Sequence, residues 1–269
     1  MSSLELNNYT RVSSLDEAYE LLLENEKNII VGGGAWLKLT NKKVDNLIDI
    51  STIGLNEIIE KDDSIEIGAM TSLRQIETSD IVSKQLDGIV SKAARSIMGV
   101  NIRNIATIGG SIMGKYSFSD LLTPLVVMNT TLVFYKKGEV ALEEFMNTKK
   151  FPKDILVKVI IEKQKGKGFF YNMKKTALDF AVINVAVTKT DTVKIAIGAR
   201  PGLTKLPTET LKKINETTKI NEEMIKNFAK EVRNEISVSS NSRAGKEYRE
   251  ELVEVYVRRG LMEVFGNES

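Results

Sequence analysis

Two glycine clusters carry the clearest chemical signal in this sequence. The first, residues 32–34, consists of three glycines and directly follows a short, mostly apolar run at residues 28–31. The second, residues 107–111, has two adjacent glycines bordered by hydroxyl side chains. Because glycine lacks a Cβ, ligand oxygen atoms can approach backbone N–H groups closely, and hydroxyl groups can donate to the same oxygens. Both clusters are typical of phosphate-binding loops, although a tight turn that needs only a positive φ has the same composition.

The first cluster partly matches the dinucleotide-binding pattern G-x-G-x-x-G. It supplies the first two glycines, and Asp49 ends the next predicted strand, where that pattern has its ribose-binding carboxylate. The third glycine position is Leu37, however, and residues 35–44 are short for a full crossover helix. No further alternation of strands and helices builds a doubly wound sheet. We therefore expect that this part of the chain does not bind NAD.

Composition excludes several kinds of chemistry. The 269 residues contain no Cys and no His, which rules out disulfides, thiol catalysis, Ser–His–Asp triads, His-bound zinc and iron–sulfur clusters on this chain's own thiolates. An organic cofactor is the simplest remaining source of chemistry. The net charge of +2 does not predict nucleic-acid binding. The sequence starts without a signal-peptide pattern and has no apolar run of membrane-spanning length, so a cytoplasmic protein without membrane contact is expected.

Hydrophobic periodicity predicts the elements that position the clusters. Capping boxes predict that helices start at Ser14, over residues 14–26, and at Ser72. Helical sequence continues over residues 81–97, with an interruption at Gly88. Strands are predicted at residues 28–31, 46–50, 64–68, 131–135, 155–161, 169–171, 182–187 and 193–197, and further helices at residues 121–128, 208–216, 221–233 and 243–264.

Two residues near the clusters each have two interpretations. Asp120 precedes the predicted helix at residues 121–128, so it can cap that helix, and it can also accept hydrogen bonds from a ribose or adenine group. Trp36 is either a packing residue of the core or a cover over part of a cofactor.

Several segments occur in an order and at a spacing that together resemble one known family. They are Val31-Gly32-Gly33-Gly34, residues 67–73, residues 102–111, residues 119–124, residues 154–157, residues 174–181, and residues 243–249 with Arg258 and Arg259. In these segments the chain resembles the FAD-binding medium subunit of the xanthine dehydrogenase and carbon monoxide dehydrogenase class of molybdenum hydroxylases. The resemblance implies an α+β fold with a two-lobed, PCMH-type FAD-binding domain. FAD would lie between an N-terminal lobe (1–55) and a middle lobe (56–165), followed by a C-terminal lobe (168–269) of a three-stranded antiparallel sheet with helices.

The resemblance also implies which residues hold FAD. Asp120 would hold the adenosine end, Ile97 and Leu156 would make apolar contacts, and Lys174 would lie near the flavin. The pyrophosphate would be held by Ile30, Val31, Gly32, Gly33, Gly34, Ala35, Trp36 and Leu37, and by Thr107, Gly109, Gly110 and Ser111.

This sequence departs from the family pattern at three places. Ala35-Trp36 replaces a small polar pair, Ser111 a common asparagine, and Ser117 a frequent proline. Backbone contacts do not depend on side-chain identity and should survive these changes. A bulky residue at Gly33 or Gly110 is expected to abolish FAD retention and leave the chain folded, because its Cβ would block the pyrophosphate.

The implied function is electron transfer within a hetero-oligomer. Electrons would pass from 2Fe-2S clusters on a small partner subunit through FAD to NAD(P)+ or another acceptor, while a large partner subunit carries molybdopterin. No catalytic acid or base and no metal ligand is expected in this chain. Two alternatives remain: a stand-alone flavin-dependent reductase, for which Tyr171 or Glu162 would be the candidate proton donor, and a docking subunit that has lost flavin.

Overall fold

The computed structural model describes residues 4–37 and 40–266. In chain order the strands are β1 (Glu5–Arg11), β2 (Ile29–Val31), β3 (Lys43–Asp49), β4 (Ile58–Glu60), β5 (Ser64–Gly68), β6 (Thr130–Phe134), β7 (Gly138–Ala141), β8 (Leu156–Glu162), β9 (Lys167–Met173), β10 (Ile183–Lys189) and β11 (Val193–Gly198). The helices are α1 (Leu15–Glu24), α2 (Leu73–Thr78), α3 (Asp80–Ser83), α4 (Ile89–Ser96), α5 (Val100–Ile105), α6 (Ile108–Met113), α7 (Leu122–Val127), α8 (Leu142–Asn147), α9 (Thr208–Glu216), α10 (Glu222–Glu235) and α11 (Lys246–Phe265).

The chain divides into two compact units. Unit 1 takes its described residues from 1–75, 100–114 and 130–162, and unit 2 from 76–99, 115–129 and 163–269. The α+β class and the C-terminal three-stranded antiparallel sheet predicted from the sequence are confirmed. The division into three lobes remains a prediction.

Unit 1 contains a parallel sheet with strand order β1-β3-β2. Helix α1 starts at a capping interaction in which the Ser14 hydroxyl accepts from the N–H of Glu17 at 3.2 Å. The Glu17 carboxylate accepts in return from the N–H of Ser13 at 2.9 Å, one residue before the expected position. Ala18 of the helix is fully buried in the same core cluster as Ile48 of β3, so the predicted amphipathic helix covers this sheet.

The second sheet of unit 1 is antiparallel, with strand order β4-β5-β8-β6-β7. In β5, buried Ile65 and Ile67 alternate with half-buried neighbours, which is the period-two pattern that the sequence predicts. Ile67 and Leu132 flank Val159 in register on its two sides. Strand β8 is therefore the centre of this sheet.

Unit 2 is built on a sheet with strand order β11-β10-β9. Residues 183–188 of β10 are all buried, because α11 and α7 both pack against this strand. Burial on both faces explains the continuous apolar run at residues 182–187. The interruption predicted at Gly88 is confirmed. Gly88 has φ +71° and ends a 3₁₀ turn at Leu86–Gly88, and α4 starts at the next residue.

Tyr256 of α11 should ionise at unusually high pH. It stacks on Tyr171 of β9 with ring centroids 4.2 Å apart. Burial, and then the interaction with Tyr171, raise the pKa of Tyr256 from 10.0 to about 12. The neutral phenol therefore stabilises the fold below about pH 10, and this stabilisation is lost as the pH rises towards 12. Ultraviolet titration should show a late tyrosinate step that Tyr256→Phe removes; a late step of the same size in that variant would contradict the assignment.

Among the described residues, none of the helices combines the length and the apolar character that crossing a bilayer requires.

Candidate functional site

The first glycine cluster forms a loop at the carboxyl end of β2, and this loop presents backbone donors. Gly34 has φ +66°, in the left-handed region that favours glycine. The N–H groups of Gly33, Gly34 and Ala35 donate to no acceptor within the described residues. Consecutive backbone N–H groups around a left-handed residue are suited to binding an anion.

The second glycine cluster packs directly against the first. A Cβ on Gly32 would lie 2.5 Å from Thr107 Oγ1, and a Cβ on Gly33 would lie 1.2 Å from the carbonyl oxygen of Ile105. The structure therefore brings the two predicted clusters together within unit 1. It also changes the expectation for Gly33, because a side chain there would collide with the protein's own backbone, and the variant would not stay folded.

The N–H groups of residues 108–111 in the second cluster are already used inside the protein. Thr107 caps α6, and its Oγ1 accepts from the N–H of Gly110 at 3.1 Å. The N–H of Gly109 donates to the carbonyl oxygen of Ala69 at 2.9 Å. The hydroxyl of Ser111 donates to the carbonyl oxygen of Thr107 at 2.9 Å. Residues 108–111 therefore support the first loop, whose N–H groups at residues 33–35 have no acceptor among the described residues.

Asp49 has no role as a ribose-binding residue in this arrangement. Its carboxylate accepts a short hydrogen bond from the Tyr9 hydroxyl, and it pairs with Arg11 Nε at 3.4 Å. Burial raises the pKa of Asp49, but hydrogen bonds from Tyr9, Ser51 and Arg11 outweigh it and lower the pKa below the usual value. Asp49 therefore joins β1 to β3.

Asp120 and Lys174 form a buried ion pair in unit 2. Lys174 Nζ lies 3.0 Å from Asp120 Oδ2, and the two side chains are 10% and 4% exposed. Asp120 does not cap α7; instead Ser119 Oγ accepts from the N–H of Leu122 at 3.3 Å. The adenosine end of an extended FAD is separated from the flavin by the pyrophosphate. The resemblance thus assigns two different roles, the adenosine end for Asp120 and the flavin for Lys174, to side chains that lie in direct contact.

Comparison with known proteins identifies the family. Residues 3–163 match the FAD-binding domain of molybdopterin dehydrogenases, and residues 168–264 match the C-terminal domain of carbon monoxide dehydrogenase flavoproteins. The chain belongs to this FAD-binding family. Its relatives are subunits of multi-subunit dehydrogenases, so this chain is an oxidoreductase subunit.

The FAD-binding family includes relatives that match along nearly their full length. The chain is 26% identical to the glyceraldehyde dehydrogenase medium chain of Sulfolobus acidocaldarius, over 95% of this chain and 97% of the relative. It is 24% identical to the putative xanthine dehydrogenase FAD-binding subunit of Escherichia coli K12, over 95% of this chain and 94% of the relative.

Solved structures share the fold. A chain of carbon monoxide dehydrogenase from Hydrogenophaga pseudoflava superposes with a TM-score of 0.87 at 21% identity, over 97% of both chains. A chain of quinoline 2-oxidoreductase from Pseudomonas putida 86 superposes with a TM-score of 0.86 at 19% identity, over 98% of both chains. The predicted fold class, an FAD-binding domain followed by a C-terminal domain with a three-stranded antiparallel sheet, is therefore confirmed.

The first loop fits the pyrophosphate that this FAD-binding family binds. A pyrophosphate is an anion with many acceptor oxygens and no donor at neutral pH, and the loop offers N–H groups at Gly33, Gly34 and Ala35 with no acceptor among the described residues. The remaining residues assigned to the loop line its two ends: Ile30 and Val31 belong to β2, and Trp36 and Leu37 are half-buried.

Other predicted residues of the FAD-binding domain lie apart from the loop in sequence. Ile97 directly follows α4 in unit 2, and Leu156 begins β8 in unit 1; both are buried. Tyr171, a proton-donor candidate of the reductase alternative, is stacked on Tyr256, and Glu162 lies exposed at the end of β8.

The sequence interpretation missed Asn184. It is a fully buried polar side chain in β10, and it donates to Asp120 Oδ1 at 2.8 Å. Its signal was present, since a lone Asn interrupts the apolar run at residues 182–187. A buried amide must find partners, so such a residue marks a polar network.

Proposed function

We propose that this chain is the FAD-binding electron-transfer subunit of a molybdenum-containing hydroxylase. It would take electrons from iron–sulfur clusters on a small partner subunit and pass them to NAD(P)+ or another acceptor, with molybdopterin on a large partner subunit. When bound, FAD supplies the redox chemistry, because it exchanges electrons singly or in pairs. The names of the relatives, a medium chain and an FAD-binding subunit, support assembly with other chains.

One observation carries the cofactor assignment: three neighbouring N–H groups in the first loop have no acceptor among the described residues. We propose that Gly33, Gly34 and Ala35 donate to the pyrophosphate. The rest of residues 30–37 would shape this loop. Thr107, Gly109, Gly110 and Ser111 would hold it in place, since the N–H groups of Gly109, Gly110 and Ser111 are engaged within unit 1 and Thr107 Oγ1 lies against Gly32.

The remaining assignments concern the flavin. We propose that Asp120 and Lys174 act together on the flavin side, and their direct ion pair supports a shared position on the cofactor. Ile97 and Leu156 would supply apolar contacts, consistent with their burial. None of these residues needs to transfer a proton, so no catalytic acid or base is assigned.

The native chain, purified with its companions, tests the proposal. Mass spectrometry, metal analysis and the visible spectrum should show one FAD per chain, a partner with iron, and a larger partner with molybdenum. A lone chain that turns over its own substrate would overturn the subunit assignment in favour of the stand-alone reductase. A chain without flavin absorption, even after reconstitution with FAD, would overturn it in favour of a docking subunit.

A further inference from the structure

A buried polar network in unit 2 connects Asn184 with the Asp120–Lys174 pair. The Asn184 amide nitrogen donates to Asp120 Oδ1 at 2.8 Å and to the carbonyl oxygen of Ser119 at 3.2 Å. Its amide oxygen accepts from Thr123 Oγ1 at 2.7 Å. Asn184 and Thr123 are both 0% exposed. The amide can therefore adopt only one orientation, since both ends are occupied.

The space for this network depends on Gly198 at the end of β11. A Cβ there would lie 2.2 Å from Thr123 Oγ1 and 2.3 Å from Asn184 Oδ1. These separations are too short for any contact with a carbon atom. The neighbouring strand thus accommodates the amide only because it has no side chain at this position.

The network leaves one donor on Lys174 unused. An ammonium group has three N–H donors. Those of Lys174 reach Asp120 Oδ2 at 3.0 Å and the carbonyl oxygen of Ser96 at 2.5 Å, and no other acceptor among the described residues takes the third. The Lys174 side chain is 10% exposed and is held by these two acceptors.

We propose that Asn184 is a positioning residue for the flavin. It fixes the carboxylate of Asp120, and Asp120 in turn fixes the ammonium group of Lys174 with one N–H directed to the cofactor. A fixed positive charge beside the flavin raises its midpoint potential, because reduction adds negative charge. The inference rests on the proposed function, since it needs Lys174 to act on FAD.

The experiment uses the full chain reconstituted with FAD, and compares Asn184→Ala with Thr123→Val and Lys174→Met. Thr188→Val is the matched control, because Thr188 is also buried on β10 and donates to the carbonyl oxygen of Val127 at 3.4 Å, away from the ion pair. Dye-coupled titration gives the midpoint potential, and fluorescence gives FAD affinity. In the flavin-free chain, acetylation of Lys174 is measured against exposed Lys175 by mass spectrometry.

Asn184→Ala should lower the midpoint potential and speed the acetylation of Lys174 several-fold. It should weaken FAD binding by roughly tenfold, by analogy with the loss of an outer partner of a metal ligand. Thr123→Val should shift all three readouts in the same direction by less. Asn184→Ala combined with Lys174→Met should match Lys174→Met alone, since both act through one charge.

Two results would overturn the positioning role. In the first, Asn184→Ala leaves both the potential and the acetylation rate of Lys174 unchanged; in the second, Thr188→Val shifts them equally. Failure of the proposed function looks different: the wild-type chain would bind no FAD, whereas the acetylation measurement, which needs no cofactor, would still report on the network.

Discussion

Gly33→Ala should prevent unit 1 from folding. Its Cβ would lie 1.2 Å from the carbonyl oxygen of Ile105 and 2.3 Å from the carbonyl carbon. The first distance is shorter than a covalent bond between carbon and oxygen. Both partners are backbone, so no side-chain rotation relieves the overlap and the two glycine loops would have to separate. The expected loss of unfolding free energy exceeds ~5 kcal/mol, a value that few single substitutions reach, and approaches the total stability of a domain.

Gly54→Ala is the matched control in the same unit. Gly54 has φ +84°, and no atom would lie within 4 Å of its Cβ. Only the left-handed backbone conformation opposes alanine there, at a cost of about 1–2 kcal/mol. Thermal unfolding followed by circular dichroism should show the full cooperative transition for Gly54→Ala, and a transition that lacks the contribution of unit 1 for Gly33→Ala. Equal transition temperatures for the two variants would show that the loops are not in this close contact.

Arg249→Ala should cost about 3 kcal/mol or more of unfolding free energy, because hydrogen bonds from a charged donor are worth ~1.5–3 kcal/mol each and their loss leaves buried carbonyl oxygens unpaired. Arg249 is 0% exposed, and its guanidinium donates to the carbonyl oxygens of Val182 and Ala199 and to Asn241 Oδ1. It therefore ties the start of β10 and the end of β11 to the segment that precedes α11. Burial, and then repulsion from Arg243, lower the pKa of Arg249.

The control for this prediction is Arg259→Ala, on the same helix. Arg259 is exposed and lies 5.3 Å from the centre of the Tyr256 ring, so its loss should cost below about 1 kcal/mol. Urea unfolding of the two variants measures the difference. If Arg249→Ala is no less stable than Arg259→Ala, the three acceptors of Arg249 are satisfied in another way.

Much of the fold was predictable because local pattern and burial agree. Alternation at residues 64–68 and the continuous apolar run at residues 182–187 indicate a half-buried strand and a fully buried strand, and the structure has both. Strand β1 was missed, because six of its seven residues are exposed and no alternation appears in its sequence. Its position comes from pairing with β3, which is a tertiary contact.

The site was predictable only in part. Glycine composition and order located both loops, but which N–H groups remain unused depends on acceptors such as the Ala69 carbonyl, which are distant in sequence from the donors. The pairing of Asp120 with Lys174 likewise joins residues far apart in the chain. Sequence assigned these two residues to different ends of the cofactor because each was considered alone.

Hydrogen exchange at individual backbone amides tests the central claim most directly. On addition of FAD to the full chain, the amides of Gly33, Gly34 and Ala35 should become strongly protected, because FAD would accept from N–H groups that have no acceptor among the described residues. The amides of residues 108–111, already hydrogen-bonded within the protein, should change little. FAD binding that leaves residues 33–35 unprotected would contradict the assignment of this loop to the pyrophosphate.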